Sequence, residues 1–203
     1  MLRQAQHDTG GLIDFFSLNV RKHTQSSKIN FNKKFMTISI YQTLIPTALH
    51  NLQNLSAILK KAEAHAEAKK IDQSVLLNLR LFPDMFPLVR QVQIACDSAK
   101  AGAARLAEIE IPSYEDVEKT FSDLQERIKK TSEFLQTIRP EQIDGKEELK
   151  ISYTQHGKER NFVGLNYLLG WVLPNIFFHI TTTYAILRSN GVELGKRDYL
   201  GNS

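Results

Sequence analysis

The sequence predicts an all-α fold, a four-helix up-down bundle with a small β-hairpin before the last helix. Three observations carry that prediction. Apolar residues step by three and four along three long segments, which is the spacing of a single helix face. A fourth long segment near the C-terminus carries no charged residue, and a short stretch before it alternates apolar and polar side chains. With 203 residues, 42% of them hydrophobic and 24% charged, the chain is long enough to bury a core.

Helix one is expected from about Ser39 to Ala68, where Leu44, Ala48, Leu52, Leu55, Leu59 and Ala62 form one stripe. Pro46 lies near its start, where proline costs least. Helix two is expected over Asp84 to Leu106, with Met85, Val89, Val92, Cys96, Ala99, Ala103 and Leu106 facing inward. Its alanines admit a close neighbour. Helix three is expected to start at Ser113, an N-cap with Asp116 three residues on, and to bury Val117, Phe121, Leu124, Ile128, Thr131 and Leu135. Leu149 to Tyr153 alternates, His156-Gly157-Lys158 supplies a turn, and Asn161-Phe162-Val163 completes a hairpin. Helix four is expected from Pro174 to Asn190, with Gly191 as its stop. Beyond it, Tyr199 and Leu200 are expected to anchor the C-terminus on the bundle.

Charge is unevenly placed. Residues 1–35 hold six Lys/Arg and two Asp/Glu, which accounts for the whole net charge of +4, so residues 36–203 are neutral overall. A nucleic-acid partner is therefore not expected. The leading 35 residues read as a disordered or targeting-like extension, and 36–203 as the bundle domain, with Met36 as its start. The expected location is the cytoplasm, or the mitochondrion if the basic, acid-poor extension acts as a transit peptide. From Asn161 to Leu187 runs a stretch of 27 residues without Asp, Glu, Lys or Arg. Its asparagines, His179, the threonines and Pro174 argue for a buried helix rather than a membrane span.

The single cysteine, Cys96, sits among small apolar residues and reads as a packed side chain rather than a nucleophile. No P-loop, G-x-G-x-x-G or G-x-S-x-G motif is present, so nucleotide-binding and serine-hydrolase chemistry have no motif to rest on. The chemistry-bearing candidates lie on helix four, where Asn175, His179 and Thr183 share a face at spacings of four. Buried, they need partners, and Asp84 and Gln91 on helix two could supply them. Two readings stand side by side: a polar knot that fixes helix register, or the lining of a cleft for a small molecule or a divalent metal. For a metal, His179 with His50 and Asp84 are the candidate ligands.

Two stretches carry a resemblance. One is Arg80-Leu81-Phe82-Pro83-Asp84-Met85-Phe86-Pro87-Leu88 with Gln91-Val92 and Ala95-Cys96-Asp97. The other runs from Leu173-Pro174-Asn175 through His179, Thr182 and Tyr184 to Gly195-Lys196-Arg197-Asp198-Tyr199-Leu200-Gly201. Together they resemble an uncharacterised domain family similar to the DinB/YfiT-like four-helix proteins, over residues 36–201. The resemblance implies a four-helix bundle, often a homodimer, in a superfamily where many members hold a divalent metal through three histidines. Some of those relatives transfer or open low-molecular-weight thiol groups. His179 matches the second histidine of the helix-four pair, whereas Asn175 stands at the first and helix two holds none. The leading functional expectation is a helical bundle with a polar interhelical cleft and no assignable reaction. The alternatives are a metal-dependent transferase or hydrolase with a degenerate site, and a homodimeric interaction module.

Overall fold

A computed structural model describes residues 38–155 and 157–201. Its elements in chain order are α1 (Ile40–Lys69), α2 (Gln73–Leu77), α3 (Leu88–Leu106), α4 (Phe121–Thr137) and α5 (Pro140–Ile143). Strands β1 (Lys150–Gln155) and β2 (Lys158–Val163) follow, then α6 (Gly164–Tyr167), a π-helical turn (Leu168–Val172), α7 (Leu173–Ser189) and α8 (Lys196–Leu200). The expected four-helix bundle is built by α1, α3, α4 and α7, and the hairpin precedes the last long helix. Each of α1 and α3 packs on both α4 and α7, while α1 and α3 themselves touch little. The helices therefore close into a ring around a core that includes Leu44, Leu52, Leu55, Val92, Phe121 and Ile180, all fully enclosed.

Local signals set the helix ends. Ser39 caps α1 by accepting the Gln42 N–H, and its own hydroxyl donates to Asp144, which ties the start of α1 to the segment after α5. Helix α3 starts four residues later than expected, because Pro87 sits at its N-cap and the residues before it turn instead. Helix α4 starts later still. Its cap is Thr120 with Asp123 in a reciprocal capping box, not Ser113 with Asp116, and residues 107–119 run without helix. Val117, expected inside, is 64% exposed as a result.

Residues 107–119 are held by charge rather than by backbone ladders. Arg127, buried on α4, bonds Asp97 (2.9 Å) on α3, Asp116 (3.1 Å) and Glu118 (2.7 Å), and donates to the Glu115 carbonyl. Burial works against its charge, but the Glu118 bond and the Asp97 carboxylate outweigh it and hold its pKa above the usual arginine value. Asp116, expected at a cap, serves as an ion-pair partner of both Arg90 and Arg127.

The last helix is longer than Pro174 suggests. Backbone from Gly164 to Ser189 is helical throughout, interrupted by a π-turn in which the Leu173 N–H reaches back to Leu168 O. Pro174, which has no N–H to offer, sits just after this turn. The expected end at Asn190-Gly191 holds, with the Val192 N–H returning to Leu187 O. In the hairpin, Ile151 pairs with Phe162 and Gln155 with Lys158. His156 of the expected turn, like the extension over 1–35, lies outside the described residues. Among the described residues no helix is long and apolar enough to cross a membrane.

The helix α3 carries its small residues where α7 and the π-turn approach, and Gly102 marks the tightest point. A Cβ there would fall on Val172 Cγ1 and lie 3.0 Å from Cγ2. We expect Gly102→Ala to destabilise the protein by about 1–3 kcal/mol through overpacking. The double variant Gly102→Ala/Val172→Ala should recover part of that loss in urea unfolding, and additive effects of the two changes would contradict the contact.

Candidate functional site

The α3–α7 contact buries one polar cross-link. His179, 9% exposed, meets Gln91, 1% exposed, with Nδ1 at 2.7 Å from Gln91 Oε1. The Gln91 Nε2 donates to the Phe86 carbonyl at 3.0 Å, so its Oε1 is left to accept and His179 donates from Nδ1. Burial, with the Arg90 charge as a smaller cause, pushes the His179 pKa down from 6.5 to about 4. At neutral pH the ring is uncharged, and among the described residues its Nε2 has no hydrogen-bond partner.

The other members of the expected polar trio turn back on their own helix. Thr183 donates to His179 O at 2.9 Å, and Asn175 donates to Trp171 O at 2.6 Å. Asp84 does not join them. It is exposed in the turn before α3, because the Pro87 cap excludes residues 84–87 from the helix and breaks the seven-residue spacing to Gln91. His50 also faces elsewhere. It is exposed on α1 and its Nε2 lies 2.7 Å from the Leu200 carbonyl of α8.

That contact belongs to the C-terminal anchor. Asn54 donates to Tyr199 O, Lys61 pairs with Asp198 at 2.7 Å, and the Tyr199 ring meets Tyr184 edge-on. Gly201, at φ +77°, closes the contact where a Cβ would come within 2.6 Å of Asn54 Oδ1. Tyr199 thus docks as expected, whereas the Leu200 side chain is exposed and only its carbonyl is used.

The cleft itself opens one turn along from the cross-link. It has a volume of about 350 Å³ and lies between α3, the hairpin and the start of α7. Asn175 lines it; Gln91, His179 and Thr183 do not. Its aromatic wall comes from Phe86, Tyr153, Tyr167 and Trp171, and its polar groups include Ser98, Arg105 and Asp97. Tyr167 and Trp171 sit four apart across the π-turn, with Asn175 four further on. The spacing of four from Tyr167 to His179 was the available signal, hidden by reading the helix only from Pro174. Cys96, by contrast, does not line the cleft; it is fully enclosed beside Thr131 of α4, and burial pushes its thiol up to about 12, in keeping with a packing role.

The donors do not fit the three-histidine metal set that the resemblance implies. His179 offers one nitrogen, Asn175 is turned to Trp171 O, His50 is engaged at α8, and Asp84 is on an exposed turn. Among the described residues no three His, Cys, Asp or Glu side chains come together to hold a cation.

The neutral His179 sets a pH dependence whose sign is fixed by linkage. Unfolded, the ring takes a proton near pH 6.5; folded, only near 4, so the unfolded state binds more protons between those values. Stability should be complete above pH 6.5 and fall as pH drops toward 4, by about 3 kcal/mol at 1.36 kcal/mol per unit. Urea unfolding from pH 7 to 4.5 should show this slope in the native chain and lose most of it in His179→Gln. An equal slope in both would place the ring in water.

Residues 40–200 match the family described as "Domain of unknown function (DUF1993)". A search of curated proteins finds no match. Among solved structures, the chain is similar to a crystal structure described as a DinB family member protein from Shewanella denitrificans. The two are 43% identical with a TM-score of 0.74, and the match covers 81% of this chain and 93% of that one. The match spans the whole of the bundle and its C-terminal helix, and the chain belongs to the DUF1993 domain family, a relative of the DinB-like four-helix proteins.

Proposed function

We propose that the domain binds a small organic molecule in the cleft between α3, the hairpin and α7. The observation that carries this reading is the combination of a 350 Å³ concavity with four aromatic side chains and a few convergent polar groups on its wall. Asn175 fits the reading because its Nδ2 is committed to Trp171 O, which leaves its Oδ1 to accept a ligand donor. The Gln91 bond to Phe86 O supports it too, since the buried cross-link thereby fixes the backbone that carries one aromatic wall. No reaction is assigned.

Trp171 is the only tryptophan in the chain and lines the cleft, so its emission reports occupancy directly. In a screen of small aromatic compounds we expect saturable changes in Trp171 emission with a matching rise in Tm. Ser98→Phe, which fills the cleft from α3, should abolish the response at unchanged helicity. A screen without a saturable response, or one that Ser98→Phe leaves intact, would contradict the reading.

A homodimer is the second part of the proposal. Phe86 and Phe178 are both 56% exposed and flank the same His179–Gln91 cross-link, with the Phe178 ring edge-on to His179 at 5.1 Å. Large aromatic side chains left open on one surface favour a protein partner. Sedimentation at micromolar concentration should give the dimer mass, and Phe178→Ser should shift it to monomer. A monomer for the native chain would contradict the dimer without touching the cleft.

A further inference from the structure

We infer that the cleft selects a flat aromatic monoacid, with Arg105 receiving its carboxylate; this rests on the cleft reading above. The argument begins with an unbalanced charge. Among the described residues three charged side chains line the cleft, and two of them are already compensated. Arg90 is paired with Asp116, and Asp97 accepts from Arg127 and forms an ion pair with Lys100. Arg105 has no carboxylate partner among the described residues.

Its guanidinium is nonetheless held in place. It lies 3.8 Å from the centre of the Tyr153 ring, and Nη1 donates to the Tyr167 hydroxyl at 3.0 Å. Stacking and one hydrogen bond fix the plane of the fork while Nε and Nη2 keep their donors uncommitted. A half-buried cation oriented by aromatic rings and lacking an anion is a receptor for one, and a planar carboxylate meets a guanidinium in two parallel bonds. The neighbouring strand repeats the pattern. Arg160 lies 5.2 Å from the centre of the Trp171 ring; among the described residues it too has no carboxylate partner, and its buried Nε has no acceptor. The aromatic wall is thus flanked by two uncompensated cations, a field that favours an anion beside a flat apolar body.

The shape of the site sets the rest of the ligand. Tyr153 and Trp171 present ring surface to one side of the space, the enclosed Tyr167 ring packs edge-on to Tyr153, and the volume suits a body of one or two fused rings.

The experiment uses 2-naphthoate and its uncharged counterpart 2-naphthamide as probes, titrated calorimetrically into the full chain. The acid should bind at least about tenfold more tightly than the amide, the scale of one charged hydrogen-bonded contact. Arg105→Gln should bring the ratio to within about threefold, by weakening the acid and sparing the amide. Arg105→Lys, which keeps the charge but not the fork, should give an intermediate ratio, and it decides the matter if the glutamine variant fails to fold. Equal affinities for acid and amide in the native chain would overturn the assignment and leave the cleft reading standing. A preference for the acid that survives in both Arg105 variants would overturn it as well. Binding of neither probe, with Trp171 emission responsive to other aromatic compounds, would overturn the acid alone; no response to any compound would end both readings.

Discussion

Much of this molecule follows from how closely α3 can be approached. Ala95, Ala99 and Ala103 are fully enclosed on that helix, and at Gly102 a single methyl would collide with Val172. Because those side chains are short, the last helix lies against α3 along its length, and interlocked packing at that distance leaves little freedom to slide. The π-turn falls within this contact. It carries Tyr167 into the core and sets Trp171 at the edge of the cleft. A bulkier α3 would hold the helix off, separate the aromatic walls and leave the His179–Gln91 pair too far apart to bond.

Polar groups then fix what apolar packing leaves undetermined. The His179–Gln91–Phe86 chain is satisfied inside the bundle at both of its protein contacts, and buried hydrogen bonds of that kind penalise any shift of one helix against the other. Arg127 performs a similar task on the opposite side of α3. It gathers carboxylates from α3 and from a segment with no regular structure, so the chain between α3 and α4 is positioned without a helix of its own. The Glu118 carboxyl is 8% exposed there, and although burial raises its pKa, the bonds from Arg127 and Gln93 prevail and lower it. Removal of either partner would strand a buried charge, which is the costly way to disturb such a pair.

The bundle was legible because long amphipathic stripes are a robust signal. Leu44 to Ala62 and Phe121 to Leu135 are buried where their spacing places them. Boundaries were harder. Asp84 and Ser113 each carry a plausible local start signal, yet Pro87 and the Arg127 ion pairs, the latter drawn from distant positions, decide against them. The pairing of His179 with Gln91 was within reach, since a buried imidazole on a charge-free helix must find a partner on the neighbouring one. The cleft was less so. Its walls come from a hairpin strand, a π-turn and the midpoint of α3, and no periodicity along one segment encodes their convergence. Arg105 in particular reads in the sequence as an ordinary surface cation near a helix end; only its place against Tyr153 and Tyr167 distinguishes it.

The enclosure of Cys96 has a practical consequence. The chain has one thiol, it has no exposed surface, and its proton is held far above the pH of any ordinary buffer. An alkylating reagent therefore has nothing to attack until α3 parts from its neighbours. The rate at which the label is incorporated, followed by mass spectrometry, becomes a clock for that opening, readable in dilute solution and without denaturant. Because the residue lies on α3, which also lines the cleft, the same clock would slow when a bound molecule holds that helix in place.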